Sequence, residues 1–158
     1  AVNDSSARAN YPVPAPATGC RRRPLNDLDY YRACRRISWP GVVFEEALTG
    51  ARLAAAYAAA PVHALASWYE TPGLASLEAA ACGCRVVSTD RGSAREYLGG
   101  AAWYCRPDEA DTIREAVLAA LAAPVPAGLA ARVRARYNWG RAARETLRAY
   151  ELVLGGRT

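Results

Sequence analysis

No lysine and no methionine occur in the 158 residues, and histidine and phenylalanine occur once each. Without lysine every basic residue is an arginine, whose planar fork favours bidentate contact with phosphate or carboxylate. The single imidazole, His63, leaves little for metal ligation or a proton relay. Its place in an apolar, strand-like run points to a hydrogen-bonded structural role. No apolar run approaches the ~20 residues of a membrane span, so no transmembrane segment is expected. The opening residues, "AVNDSSARANYPVPAPATGC", lack the basic start and continuous apolar stretch of a secretion signal, and the expected location is cytoplasmic. Cys20, Cys34, Cys82, Cys84 and Cys105 show none of the paired C-x-x-C spacing of a zinc site. They read as mostly buried thiols, and no metal is expected.

What is present is a soluble globular composition, 52% apolar and 22% charged, in a chain the size of one domain. The net charge is +5. Arginines gather at Arg21 to Arg23, at Arg35 and Arg36, and from Arg132 to Arg148. A nucleic-acid binder would interleave such patches with aromatics; solvated helix faces account for most of these, and no nucleic-acid partner is expected.

Along the chain, residues 1–25 are polar and proline-punctuated, which suits a flexible or edge-strand arm. The remainder, 26–158, alternates helix and strand signals. "NDLDYYRACRRI" has helical spacing and "GVVFEEA" the β-branched content of a short strand. "TGARLAAAYAAA" reads as a helix stopped at Pro61, and "VHALASW" as a buried parallel strand. Thr71 is placed to cap the next helix, with Pro72 at its first position and Gly83 closing it. "RVVST" follows as a strand, "SAREYL" as a short helix, "AAWYC" as a last strand, and Asp108 as the cap of "EADTIREAVLAALAA". A C-terminal helical pair completes the chain, the second helix capped by Asn138. Strands alternating with helices predict an α/β fold, a Rossmann-like parallel sheet with helices on both faces.

Ligands of open parallel sheets bind beyond the carboxyl ends of the strands. The stretch "SWYETPGLASLEAAACGCRVVST" from Ser67 is such a strand-to-helix turn, with Glu70 before the helix and Glu78 inside it. Gly73 allows close backbone approach, and free amides of Gly73, Leu74 and Ala75 at a helix N-terminus would suit a phosphate. Glu78 lies about 8 Å along the axis at ~1.5 Å per residue, but its side chain leans back toward the mouth. A carboxylate accepts only, which matches a vicinal diol such as that of ribose. Two carboxylates with amides between them suit a nucleotide sugar; a solvated loop residue and an exposed helix position describe the same pattern equally well.

The stretch resembles the E-x7-E signature of retaining glycosyltransferases with the GT-B fold, the group 1 glycosyl transferases. The resemblance continues through "DRGSAREYLGG", similar to that family's G-x-x-E loop, to "RYNWGRAARETLRAYE", similar to its terminal tryptophan-containing helix. It covers residues 26–154 and corresponds to the C-terminal, donor-binding half. It implies that Glu78 binds the ribose hydroxyls and that Glu70 is the catalytic contact to the donor sugar. Gly73 and Leu74 would offer backbone, and Arg95 and Glu96 would line the pocket. It further implies a UDP- or GDP-sugar as co-substrate with no other cofactor, and retention of configuration. The family's first strand and its arginine-lysine diphosphate clamp have no counterpart here. A front strand missing from the sheet leaves apolar edges, so a second copy or a separate N-terminal acceptor-domain chain is the expected partner. The chain is expected to be a donor-binding half inactive by itself; the alternative is a non-catalytic nucleotide-binding or protein-interaction module.

Overall fold

The computed structural model describes residues 28–45 and 47–155, so the arm expected over 1–25 lies outside the described residues. The chain divides into two compact units, Ala1–Glu46 and Ala47–Thr158. In the first, helix α1 (Leu28–Ile37) carries Asp29 in its first turn and Arg35 and Arg36 in its last, signs that complement the helix dipole. Phe44 meets Tyr31 edge-on at 5.6 Å, and the Arg35 guanidinium lies 5.9 Å from each ring. The strand predicted over "GVVFEEA" is not formed in the described residues 41–45. Val42 and Val43 are 51% and 76% exposed there. A β-branched run becomes a strand only where a neighbour completes its ladder and covers its side chains.

The second unit runs α2 (Gly50–Ala59), β1 (Val62–Leu65), α3 (Leu74–Ala81), β2 (Arg85–Thr89), α4 (Ala94–Leu98), a 3-10 turn (Gly99–Ala101), β3 (Trp103–Cys105), α5 (Ala110–Ala122), α6 (Leu129–Arg136) and α7 (Trp139–Gly155). Its strands form one parallel sheet in the order β1-β2-β3, with Val62 opposite Arg85 and Val87 opposite Trp103. The pleat of β2 sends successive residues to opposite faces. Val86 enters a cluster with Leu77 and Ala80 of α3, Tyr97 and Leu98 of α4, and Leu129 and Val133 of α6. Val87 joins Cys105 with Ala116 and Ala120 of α5. The central strand is therefore covered on both sides, which is why "RVVST" reads as an almost continuous apolar run. This is the Rossmann-like α/β arrangement with a C-terminal helical pair that the alternation predicted.

Local chemistry explains the boundaries. After α3 the Gly83 amide donates to the Ala80 carbonyl and the Cys84 amide to the Ala79 carbonyl, while Gly83 sits at φ 98°. That paired closure requires the left-handed conformation. The buried Cys84 thiol donates to the Tyr57 carbonyl at 2.9 Å and ties α2 to the start of β2. Cys105 is buried too, whereas Cys34 and Cys82 are half-buried. Asn138 caps α7 as expected, its side-chain oxygen accepting the Arg141 amide at 2.9 Å. The cap expected at Asp108 is not used: Glu109 occupies the N-cap position, and Asp108 pairs instead with Arg91 at 2.7 Å. No helix among the described residues is long and apolar enough to cross a membrane.

Candidate functional site

The turn leaving β1 and the turn leaving β2 lie at the same end of a parallel sheet, and backbone hydrogen bonds join them. Glu70 forms an isolated parallel bridge with Gly92. Its amide donates to the Arg91 carbonyl at 3.4 Å, and its carbonyl accepts the Ser93 amide at 3.0 Å. Gly92 sits at φ 91°, and a side chain there would overlap the Glu70 carbonyl oxygen. Only glycine satisfies both demands at once. Glu70 is thus fixed by its backbone to the loop that opens α4, and Arg95 and Glu96 stand on the first turn of that helix.

Around this joint the side chains divide. The Glu70 methylene lies 3.0 Å from where a Gly73 side chain would begin, so its carboxylate arm folds over the mouth of α3. Arg91 stacks on the Trp68 ring at 4.4 Å as well as pairing with Asp108. That hydrogen bond from Arg91 holds the Asp108 carboxyl below its ordinary range. Arg95 lies 3.9 Å over the Tyr104 ring, against β3, and Glu96 is exposed. Glu78 is also exposed, on the outer face of α3. There it enters the wall of a groove of about 570 Å³ that starts at Pro72 and Leu74 and reaches Tyr137, Trp139 and Arg141. The two glutamates therefore flank the turn, Glu70 on its α4 side and Glu78 in the groove beside α6 and α7.

The mouth of α3 differs from the expectation in two respects. Gly73 is the N-cap, with Thr71 and Pro72 in the preceding turn, so Thr71 does not cap the helix. The Gly73 amide is also not free: it donates to the Tyr97 hydroxyl at 2.9 Å, and the Leu74 amide donates to the Pro72 carbonyl at 2.9 Å. Of the three expected phosphate donors, Ala75 alone keeps an amide unclaimed among the described residues. A cradle of successive free amides is replaced by a turn locked from within.

Tyr97 was invisible to sequence reasoning because its partner is 24 residues away. Burial pushes its phenol above the ordinary tyrosine value; the Gly73 bond pulls it down, and the nearby Glu70 charge raises it. His63, by contrast, behaves as its position suggested. Its Nε2 lies 3.3 Å from the Ser76 hydroxyl, and its ring meets Tyr57 edge-on at 5.6 Å. Burial lowers its pKa, opposed by the Glu70 carboxylate. Among the described residues no group of His, Cys, Asp and Glu converges as a metal site would require.

The family model described as "Glycosyl transferases group 1" matches residues 19–123. That span ends with α5 and leaves α6 and α7 outside it. Sucrose-phosphate synthase from Thermosynechococcus elongatus superposes with a TM-score of 0.59 at 28% identity, over 66% of this chain. The matched region is 28% of that enzyme's chain. No curated protein matches the chain.

Proposed function

Since the chain belongs to the group 1 glycosyl transferase family, we propose that it is the donor-binding half of a glycosyltransferase that moves a sugar from a nucleotide sugar to an acceptor with retention. The observation that carries this reading is the joint at residues 70–73 and 91–93. An acidic arm lies over the start of α3 there, and a second acidic residue, on α3 itself, lines the neighbouring groove. A ligand spanning the two would present hydroxyl-rich ends to Glu70 and Glu78 and keep its diphosphate between them.

In this reading Glu78 accepts hydrogen bonds from the ribose hydroxyls in the groove. Glu70 contacts the donor sugar beside the bond that breaks. The diphosphate rests near the α3 N-terminus, where the helix dipole and the Ala75 amide favour negative charge. Gly73 and Leu74 contribute shape through their backbone, since their amides are engaged. Arg95 and Glu96 border the pocket from α4. The acceptor hydroxyl attacks on the face from which the diphosphate departs, and positive groups stabilise the leaving charge. Transfer needs donor and acceptor held together, so an acceptor-binding part completes the site. No further cofactor enters.

Calorimetric titration of the full chain with UDP, GDP and ADP tests the proposal. One of them is expected to bind, and Glu78→Ala to weaken it at least tenfold, the loss of a charged hydrogen bond worth ~1.5–3 kcal/mol. Binding of none, or binding indifferent to Glu78, would leave a non-catalytic interaction module as the better reading.

A further inference from the structure

We infer that Tyr97 is a positioning residue of the donor site: its hydroxyl, by holding the first amide of α3, sets the arm of Glu70 for the sugar end of the ligand. This rests on the donor reading above. Four hydrogen bonds join the α4 segment to the Glu70 turn, and they are not equivalent. Two run between backbone groups, Ser93 to Glu70 at 3.0 Å and Glu70 to Arg91 at 3.4 Å, and any side chains at those positions could make them. A third runs from the Ser93 hydroxyl to the Glu70 carbonyl at 3.5 Å and doubles a backbone bond. The fourth runs from the Gly73 amide to the Tyr97 hydroxyl at 2.9 Å and exists only because residue 97 is tyrosine.

Packing alone does not call for that hydroxyl. Tyr97 is 8% exposed and sits in the cluster with Leu77, Val86 and Leu98, where a phenylalanine ring would fill the same space. What the oxygen adds is a partner for a buried amide that the turn would otherwise leave unsatisfied. It also fixes the fit of Gly73. A methyl added there would overlap the Tyr97 oxygen and lie 3.0 Å from the Glu70 Cγ. Tyr97, Gly73 and Glu70 form one packed set, and moving the hydroxyl moves the glutamate arm. Glu78 is outside this set, in the groove wall. The Tyr97 ring also meets Tyr137 of that wall edge-on at 6.2 Å, a contact that a phenylalanine ring keeps, so removing the hydroxyl alone acts on the sugar end.

The test compares each nucleotide sugar with its own diphosphate: UDP-glucose with UDP, GDP-mannose with GDP, ADP-glucose with ADP. For the pair that binds in a Glu78-dependent way, Tyr97→Phe is expected to lower affinity for the nucleotide sugar by about tenfold, a typical consequence of one lost buried hydrogen bond. Affinity for the diphosphate should fall clearly less, because the ring contact with Tyr137 in the groove wall is kept. General loosening would lower both equally, and either that result or no change in both overturns the inference while leaving the donor reading intact. Absence of any Glu78-dependent binding overturns both. Gly73→Ala should also weaken nucleotide-sugar binding, and Gly73→Ala with Tyr97→Phe should be no worse than either alone, since they disturb one contact. Should Tyr97→Phe not fold, amide exchange in the unmodified chain decides. Slow exchange at Gly73 with and without nucleotide sugar supports the inference, and fast exchange in the free chain overturns it.

Discussion

Helices α3 and α7 show how little length has to do with burial. Helix α3 has 8 residues and buries Ser76, Leu77, Ala79 and Ala80; α7 has 17 and buries none. The first is pressed between the sheet and α6, and its apolar residues are small enough to allow close approach. The second presents Leu147, Tyr150, Val153 and Leu154 at 56% to 68% exposure, and Glu145 lies within 3.7 to 3.9 Å of Arg148 and Arg141 on its polar side. Such exposed pairs contribute only a few tenths of a kcal/mol each. The family match reaches α5 and stops before α6 and α7. A turn proposed to bind a ligand has to be held by elements that cannot drift, and α3 is such an element.

Substitutions in the two regions should therefore differ sharply. The largest effect is expected from Leu98→Ala, where a fully buried side chain in the cluster against α3 is lost; chemical denaturation should show a loss of about 2–5 kcal/mol. Next comes Gly92→Ala, which forces a side chain into the left-handed region and against the Glu70 carbonyl. A loss of about 1–3 kcal/mol is expected, with nucleotide-sugar binding falling alongside it. Unchanged stability there would show that the joint between the two turns is loose.

A smaller effect should follow pH. The folded-state pKa of His63 is lowered by burial, so as pH falls below the ordinary histidine value of about 6.5 the unfolded chain takes up a proton that the folded chain resists. Melting temperature should drop over that window and level off below the folded pKa, and His63→Gln should flatten the drop. Asp108 adds a separate decline: its folded pKa is depressed by Arg91, so its stabilisation is complete above the ordinary carboxylate range near ~4 and is lost below it. The smallest effect is expected in α7, where Leu152→Ser should change the stability of the isolated chain by no more than about 0.5 kcal/mol. A larger loss would mean that a second copy of the chain covers this face.

The same contrast separates what could be read from the residues and what could not. Strand β2 was legible because its neighbours on both faces demand the apolar run that the sequence displays, and the Asn138 cap because both partners lie within three residues. The caps expected at Thr71 and Asp108 failed for one reason: each end is organised by a partner distant in sequence. Tyr97 takes the amide beside Thr71, and Arg91 takes the carboxylate of Asp108. Periodicity and capping rules see only a few residues in either direction. Glu70 and Glu78 stand in the sequence at the E-x7-E spacing, but the locking of the Gly73 amide needed the fold. "GVVFEEA" shows the converse, a stretch with the composition of a strand that has no sheet neighbour among the described residues.

The central claim is that a nucleotide sugar lies across the α3 mouth, between the Glu70 turn and the groove that holds Glu78. Amide hydrogen exchange of the full chain, with and without saturating UDP-glucose, GDP-mannose or ADP-glucose, tests it directly. The account predicts that one of these ligands slows exchange over residues 68–81 and 91–98 and leaves 144–155 unchanged. Protection confined to 144–155, or none from any of the three, would contradict it.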